Sequence, residues 1–532
     1  MSVFLKINES DNVAVALENL TYGTKIEVAE SEIIIKETIP LKHKFALQDF
    51  EPGAPLYMYG VLVGEATEKI IQGGLISLKN TKHKTQKVTG KTATWRWNPP
   101  NAGELKQRTF LGYHRKDGQV GTANIWLFFP LVFCENRNIQ SLKKIFEKIF
   151  HPTPPDPLEE LLHHLVHQKK AEITNQVVKA PLNNVEVRFL THQGGCGGTR
   201  QDAQSLAALL AGYVHNPNVA GATVLSLGCQ NLEIDLFKKA LKQNKTDKPV
   251  LIFDQQTEGT TDQFLKKVIE ATVPEILKAN ALKRQPALLN KLTVGLECGG
   301  SDGFSGITAN PALGYISDQL ATLGGKAILA EFPELSGVEQ ELVNRCASKE
   351  AGEKFLHLMK TYEKAAIKAG SGFDMNPSPG NIKDGLITDA MKSAGAAKKA
   401  GNAPIQAVLD YTEYAHTKGV SLLCTPGNDV ESTTALAGSG ANIILFTTGL
   451  GTPTGNPITP VIKVGSNSAL FERMPDIIDF DCGTMITKKE SLETIGLGLL
   501  EYIIAVASGE ITSKATVLNQ HDFIPWKRGV SL

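Results

Sequence analysis

Apolar and polar positions change rhythm twice along the chain. Over residues 1–82 the apolar runs are short: Val13-Ala-Val-Ala-Leu17, Thr24-Lys-Ile-Glu-Val28, Glu32–Ile39 and Leu56–Gly64, broken by polar and glycine-containing turns. Alternation with little helical spacing predicts a small all-β module. Residues 83–108 turn to Lys, Thr, Gln, Pro and Gly, with Trp95, Trp97 and Pro99-Pro100, which reads as a linker pinned by aromatic hooks. From residue 109 onward, near-continuous apolar runs alternate with helical patterns. Strands are predicted at Ala123–Cys134, Glu186–His192, Ala222–Leu227, Val250–Phe253, Leu292–Leu296, Ala327–Ala330, Ser421–Cys424, Asn442–Thr447 and Thr459–Val464. Helices are predicted at Gln140–Ile149, Leu158–Gln168 (after the break His151-Pro-Thr-Pro-Pro-Asp-Pro157), Asp202–Val214, Asp262–Ala279, Pro333–Ala347 and Ala351–Ala369. Such alternation implies a Rossmann-like parallel sheet covered on both faces. We divide this region into α/β domains at 109–240 and 241–532, the latter holding most of the chemistry.

Composition narrows the function. A chain of 532 residues suggests about three domains at roughly 150 residues each. Lys+Arg and Asp+Glu both number 55, so no basic face is available to displace counterions from nucleic acid. The longest apolar run, Ile125–Cys134, is shorter than the roughly 20 residues a membrane helix needs. The opening Met1-Ser-Val-Phe-Leu-Lys-Ile-Asn-Glu9 is interrupted by charge where a signal peptide is apolar. Seven cysteines, with no CxxC pair, point to free thiols in a cytoplasmic protein.

Three cysteines share one station, the turn after an apolar strand: Cys196 after Val187–Thr191, Cys229 after Thr223–Leu227, and Cys298 after Leu292–Leu296. Ligands of parallel sheets gather at the carboxyl ends of strands, and thiolates suit iron or zinc. A metal or cluster site built from the three is the reading we favour; small buried hydrophobes are the alternative. Cys346, Cys424 and Cys482 read as packing residues. No GxxxxGK[ST] phosphate loop occurs, and Gly449-Leu-Gly-Thr-Pro453 has a proline where a dinucleotide-binding helix would begin. Polar residues cluster around glycines at Gly112–Asn124, Ser301–Asn310, Asn376–Asn381 and Thr425–Ser432, a collection suited to a polyhydroxylated acid.

The run Gly295-Leu-Glu-Cys-Gly-Gly-Ser-Asp-Gly-Phe-Ser-Gly-Ile-Thr-Ala-Asn-Pro-Ala-Leu-Gly314 closely resembles the signature of the altronate/galactarate dehydratase family. So do Asn376-Pro-Ser-Pro-Gly-Asn381, Phe446-Thr-Thr-Gly449, and Pro460-Val-Ile-Lys463 through Ser466-Asn-Ser468. The N-terminal module is similar to the family's SAF (β-clip) domain around His43-Lys-Phe-Ala-Leu47. The Pro-Gly-Asn-Asp turn ending at Asp429, Gly451-Thr-Pro453 and Ile478-Asp-Phe-Asp481 look most like the altronate branch.

This resemblance implies a homodimeric hydro-lyase taking D-altronate to 2-keto-3-deoxy-D-gluconate. It also implies help from iron, as a single Fe2+ or an iron–sulfur cluster, with Mn2+ as a substitute. Carried over by motif, the metal set is Cys196, Cys229 and Cys298. The catalytic set is His192, Lys463 and Asp302. The substrate set is Arg115, Asp117, Asn124, Ser301, Asn310, Asn381 and Asn467. His192 has the unperturbed pKa of a general base or acid, and equally reads as a turn cap or iron ligand. Lys463 reads as a carboxylate anchor or a base, and Arg115 as a bidentate carboxylate clamp or a partner of Asp117. Three positions depart from the family. Its His-x-His-Asn strand is Ser77-Leu-Lys-Asn80 here, its Thr-Gly-Arg-Gly is Thr448-Gly-Leu-Gly451, and Gln230 replaces a Glu after Cys229. A galactarate or sulfonated hydroxy-acid lyase, and a non-catalytic sugar-acid binding protein, remain the alternatives.

Overall fold

The computed structural model describes residues 3–28, 31–150 and 182–529. The helix expected at Leu158–Gln168 lies outside the described residues. The chain forms two units, one of residues 1–112 and 285–526, the other of 113–284 and 527–532.

The second unit is built on four parallel strands, β1 (Ile125–Pro130), β2 (Glu186–Phe189), β3 (Val219–Ser226) and β4 (Val250–Asp254), in the order β2-β1-β3-β4. All six residues of β1 are buried, as expected for a central parallel strand, so its sequence is apolar throughout instead of alternating. Helices α1 (Asn136–Phe150), α2 (Arg200–His215), α3 (Ile234–Gln243) and α4 (Thr261–Asn280) complete it. Trp126 is buried, and its Nε1 donates to Thr223 Oγ1 at 2.9 Å, satisfying the one polar atom of a large ring. The division at 240 falls inside α3. The unit instead continues to residue 284, because β4 pairs with β3 and α4 lies beyond it.

The first unit begins with the all-β module. Strands Phe4–Leu5, Val13–Ala16, Lys44–Ala46 and Leu75–Ile76 form one antiparallel sheet, and Pro55–Met58, Val61–Ala66 and Thr81–Lys82 another. The rest is a seven-stranded parallel sheet of β5 (Thr293–Cys298), β6 (Lys326–Leu329), β7 (Ile405–Leu409), β8 (Gly419–Leu423), β9 (Ile443–Thr448), β10 (Val461–Gly465) and β11 (Phe480–Asp481), ordered β7-β8-β6-β5-β9-β10-β11. Its helices include α5 (Ala309–Leu323), α6 (Lys349–Lys368), α7 (Asp389–Ala397), α8 (Asp429–Gly438) and α9 (Leu492–Ser508). The chain leaves β5 toward β6 on one side and later returns to place β9 on the other. β5 and β9 therefore flank the switch in strand order, where ligands of such sheets gather, and the loops after them are joined by the Gly449 and Leu450 N–H groups donating to the Gly300 carbonyl.

Two segments differ from their sequence pattern. Pro333–Ala347 is not one helix but a 3-10 turn, Phe332–Leu335, and a short helix, Glu339–Arg345. Ser336-Gly337 separates them, with Gly337 at φ 97°. Helix α7 escaped prediction because all nine of its residues are buried, which leaves no polar face to set a helical period.

The linker is anchored along the first unit. Lys91 Nζ donates to the carbonyls of Asn344 and Cys346 at 2.7 Å each. Trp95 Nε1 donates to the Asn402 carbonyl at 2.8 Å, and the Arg345 guanidinium lies 5.8 Å from its ring. Trp95→Ala removes that hook and a cation–π contact with the buried Arg345, worth about 0.5–2 kcal/mol. It should speed proteolytic nicking within 83–108 severalfold, with far-UV circular dichroism unchanged.

Candidate functional site

The crevice at the carboxyl edge of β5, β6, β9 and β10 collects the polar groups of the first unit. The turn after β5 depends on glycine. A methyl at Gly299 would collide with Asp429 Oδ2 and the Phe446 ring, and Gly300 stands at φ 59°.

Asp302, fully buried, is the hub of this turn. Its Oδ1 accepts from Ser466 Oγ (2.7 Å), Ser305 Oγ (2.9 Å), and the backbone N–H groups of Ser305 (2.9 Å) and Phe304 (3.2 Å). Its Oδ2 accepts from Asn467 Nδ2 at 3.0 Å and pairs with Lys42 Nζ at 2.9 Å. These six donors exceed the roughly four lone-pair positions of a carboxylate. Asp302, expected among the catalytic residues, is thus placed where it organises the site. Asn467 is likewise committed, to Asp302, to the Gly449 carbonyl (3.1 Å) and, through Oδ1, to the Leu470 N–H (2.9 Å). Asn310 bridges the Gly395 carbonyl (3.0 Å) and Thr447 Oγ1 (2.8 Å). Asn381 donates to the Ser301 carbonyl at 2.7 Å and caps Ser378. These side chains shape the crevice.

Lys42 comes from the all-β module, which thereby reaches Asp302. Burial works against the charge of Lys42, but Asp302 and Asp384 raise its pKa. Two residues on, Lys44 is buried, donates to the Gly385 carbonyl at 2.5 Å, and is pushed down to about 7 by burial. Ser77 meanwhile only closes a local turn with Asn80.

Behind the β5 turn lies a buried ionic network. Lys399 Nζ is 2.8 Å from both Cys298 Sγ and Glu331 Oε2. The Cys298 thiol donates toward Glu334 Oε2 (3.0 Å) and Glu331 Oε2 (3.3 Å). Lys392 Nζ is 2.6 Å from Glu334 Oε1 and from Asn376 Oδ1. Glu297 accepts from Ser432 Oγ at 2.6 Å. Burial, then Glu331, raises the pKa of Glu297; burial works against the charge of Lys399, but Cys298, Glu331 and Glu334 raise its pKa. Burial also opposes ionisation of Glu334, yet Lys392 and Lys399 hold it down at about 2.

Lys463 and Asp429 have no ion-pair partner among the described residues. Lys463 Nζ, buried, lies 3.3 Å over the Phe446 ring and 3.1 Å from Thr454 Oγ1. Burial lowers its pKa to about 7, against the pull of Asp429, Glu297, Asp479 and Asp522. Asp429, at the start of α8, is raised to about 7 by burial and by Glu331 and Glu334.

The other expected residues belong to the second unit. His192 is buried. Its Nε2 meets the Pro130 carbonyl at 2.7 Å, its Nδ1 accepts from the Gly194 N–H at 3.1 Å, and burial drives its pKa down to about 4. With both nitrogens engaged it stands as a turn cap, one of the roles its sequence offers. Arg115 donates to the carbonyls of Pro217 (2.7 Å) and Ala123 (3.3 Å) and to Asn124 Oδ1 (3.0 Å). Asn124 donates to the carbonyls of Asn184 (2.6 Å) and Ala279 (3.0 Å), and Asp117 holds Gln119 (2.7 Å). These three brace loops instead of presenting free donors. Cys196 and Cys229 are exposed, whereas Cys298, in the first unit, is buried.

Among the described residues, the donors grouped closely enough to hold a metal ion are Cys298, Glu331 and Glu334, all buried, with ligand atoms within 4.8 Å of one another. One sulfur and two carboxylates fit a divalent transition ion. Glu297 Oε1 and Glu331 Oε1, buried beside them, lack hydrogen-bond partners among the described residues. Lys399 holds the cationic position here.

Glu331, Glu334, Lys392 and Lys399 were not foreseen. One signal was present: Lys392 and Lys399 stand seven residues apart in an Ala/Gly-rich run, a spacing that puts both charges on one face of a helical segment.

Family models match almost the whole chain: an altronate/galactarate dehydratase SAF domain over residues 2–84, a D-galactarate dehydratase/altronate hydrolase second domain over 112–280, and a D-galactarate/altronate dehydratase C-terminal domain over 289–531. The chain is 36% identical to altronate dehydratase of Bacillus subtilis (strain 168), covering 96% of each. It is 31% identical to altronate dehydratase of Escherichia coli (strain K12), covering 99% of this chain and all of that one. To galactarate dehydratase (L-threo-forming) of E. coli it is 29% identical, covering 95% and 93%.

Lys392→Met should reveal the network through pH. Glu334 has a folded pKa below its usual value, so its contribution to stability is complete above the ordinary carboxylate range and is lost as pH falls toward about 2. The raised pKa of Glu297 acts with the opposite sign. Denaturant titrations should show wild type losing stability between pH 5 and about 2. The variant, missing one partner of a buried pair, should be about 3–5 kcal/mol weaker at pH 7 with a flatter acid limb.

Proposed function

Because the chain belongs to the galactarate/altronate dehydratase family and is a hydro-lyase acting on a sugar acid, we propose that its substrate is D-altronate, dehydrated across C2 and C3 to 2-keto-3-deoxy-D-gluconate. The observation that carries the reaction is Lys463, a buried amine near pKa 7 on β10, with no carboxylate partner among the described residues. The C2 proton of an aldonate is weakly acidic, because the neighbouring carboxylate is already negative. A neutral amine in a water-poor crevice is suited to remove it. Lys42, held by Asp302, adds fixed positive charge for the substrate carboxylate. Leu450, where the family's motif carries arginine, offers no cation there, which weakens contact with an acidic group of the substrate.

Iron is the proposed cofactor, with Cys298, Glu331 and Glu334 as the donors that would hold it and Cys196 and Cys229 as the further thiols of the family-implied set. When bound, the ion supplies Lewis acidity to the carboxylate and hydroxyl oxygens of the substrate. A cytoplasmic homodimer completes the proposal. The unpaired thiols support the reducing compartment, and the likeness to the family supports the dimer.

The test is anaerobic purification of the full chain, iron and sulfide quantitation, and turnover on D-altronate, galactarate and a sulfonated hydroxy acid. D-Altronate should be converted to a 2-keto acid with kcat/KM at least tenfold above the others. An iron-replete protein that binds D-altronate without turning it over would favour a binding protein instead. Cys298→Ser should lower iron content and turnover together; unchanged iron content would remove that thiol from the metal set.

A further inference from the structure

Asp429 is the titratable side chain of the crevice that the proton-abstraction step leaves unused. It opens α8, after the loop that leaves β8 at Leu423, and the N-cap of α8 is Asn428. The carboxylates around it each have a partner among the described residues: Asp302 has six donors, Glu334 has Lys392, Asn376 and Cys298, Glu331 has Lys399, and Glu297 has Ser432, although Glu297 Oε1 and Glu331 Oε1 are left without one. Asp429 accepts from no donor among the described residues, and it is half-buried, so it retains access to the crevice. Its place is built into the neighbouring strand. Gly299, the residue after β5, lacks the Cβ that would otherwise strike Asp429 Oδ2 and the Phe446 ring. Lys463 Nζ lies over that same ring. One aromatic side chain thus has the amine on its face and the carboxyl group near its rim, without an ion pair joining them.

Resting on the dehydratase reading, we propose that Asp429 is the catalytic general acid that protonates the departing C3 hydroxyl of the sugar acid while Lys463 takes the C2 proton. The balance is complete. The Lys463 lone pair takes the proton, and the C2–H electron pair becomes the C2–C3 double bond. The C3–O bond breaks with its electrons on oxygen, and Asp429 supplies the proton that makes the leaving group water. The enol then loses its C2 hydroxyl proton and gains one at C3 to become the ketone. Lys463 ends one proton richer and Asp429 one poorer, and exchange with solvent restores both.

The electrostatic setting suits the two states required. Asp429 is faced by Glu331 and Glu334 from beyond β6, by Lys392 of α7 and by Lys463 of β10; burial and the two glutamates raise it to about 7. Lys463 is faced by Asp429, Glu297, Asp479 and Asp522. An acid and a base titrating near the same pH are both available, in part, near neutrality.

The experiment uses the iron-reconstituted full chain with D-altronate and with 3-deoxy-3-fluoro-D-altronate, whose fluoride leaves without protonation. Asp429→Asn should lower kcat on D-altronate about 10²–10⁴-fold, with KM within threefold, and should remove the high-pH fall in rate set by deprotonation of the acid. On the fluoro analogue the same variant should stay within about fivefold of wild type, a rescue that a merely structural role would not produce. Asp429→Ser, smaller and unable to clash, should behave alike. Turnover of D-altronate by Asp429→Asn within threefold of wild type, or equal loss on both substrates in a folded variant, would overturn the proposal. Failure of the wild-type chain on every sugar acid would overturn the dehydratase reading instead, and this role with it.

Discussion

Two lysines buried against two carboxylates and a thiol hold the carboxyl edge of the large sheet in one arrangement. Taking such charges out of water is costly, and the cost is offset only when each group finds its partners at close range. Lys399 meets Cys298 and Glu331, and Lys392 meets Glu334 and Asn376. The partners come from the end of β5, the segment after β6, the loop before Pro377, and the run from α7 to Lys399. A shift of any one leaves a buried charge unpaired, so the network ties the register of these segments together.

Asp302 performs a second act of organisation on the other side of the same turn. Its carboxylate gathers the loop after β5, the loop after β10 and, through Lys42, the N-terminal β module. In the family's motif that module carries a histidine strand, which this chain lacks at Ser77 and Lys79. The module nevertheless delivers two lysines to the first unit, one paired with Asp302 and one buried against backbone carbonyls.

Counting hydrogen-bond partners separates groups that build the site from groups free to react. Asp302, Asn310, Asn381 and Asn467 are spent on protein partners, as are His192, Arg115 and Asn124 in the second unit. Polar residues held this way rigidify their surroundings. Lys463 and Asp429 have polar capacity left over and pKa values moved toward neutrality by burial and by neighbouring charge. This pairing of spare capacity with shifted titration marks reactive groups in folded proteins generally.

The sequence by itself determined the class of fold, because buried parallel strands must be apolar along their whole length and their helices must show a 3.6-residue period. β1, β5, β9 and β10 were visible for that reason, and so were α2, α4 and α6. It also determined the family, through the long glycine-rich run around Cys298. The edge strand β7 and the wholly buried α7 escaped, since neither carries the contrast of apolar and polar positions that a pattern needs. Which polar residues are free was decided only by tertiary structure. Asp302 and His192 look reactive in one dimension, but hydrogen bonds to residues as much as 260 positions away for Asp302, and 62 away for His192, consume them. Glu331, Glu334 and Lys399 look like ordinary surface charges until folding buries them together. Burial and partner count are properties of three-dimensional neighbours, and linear order carries no direct record of them.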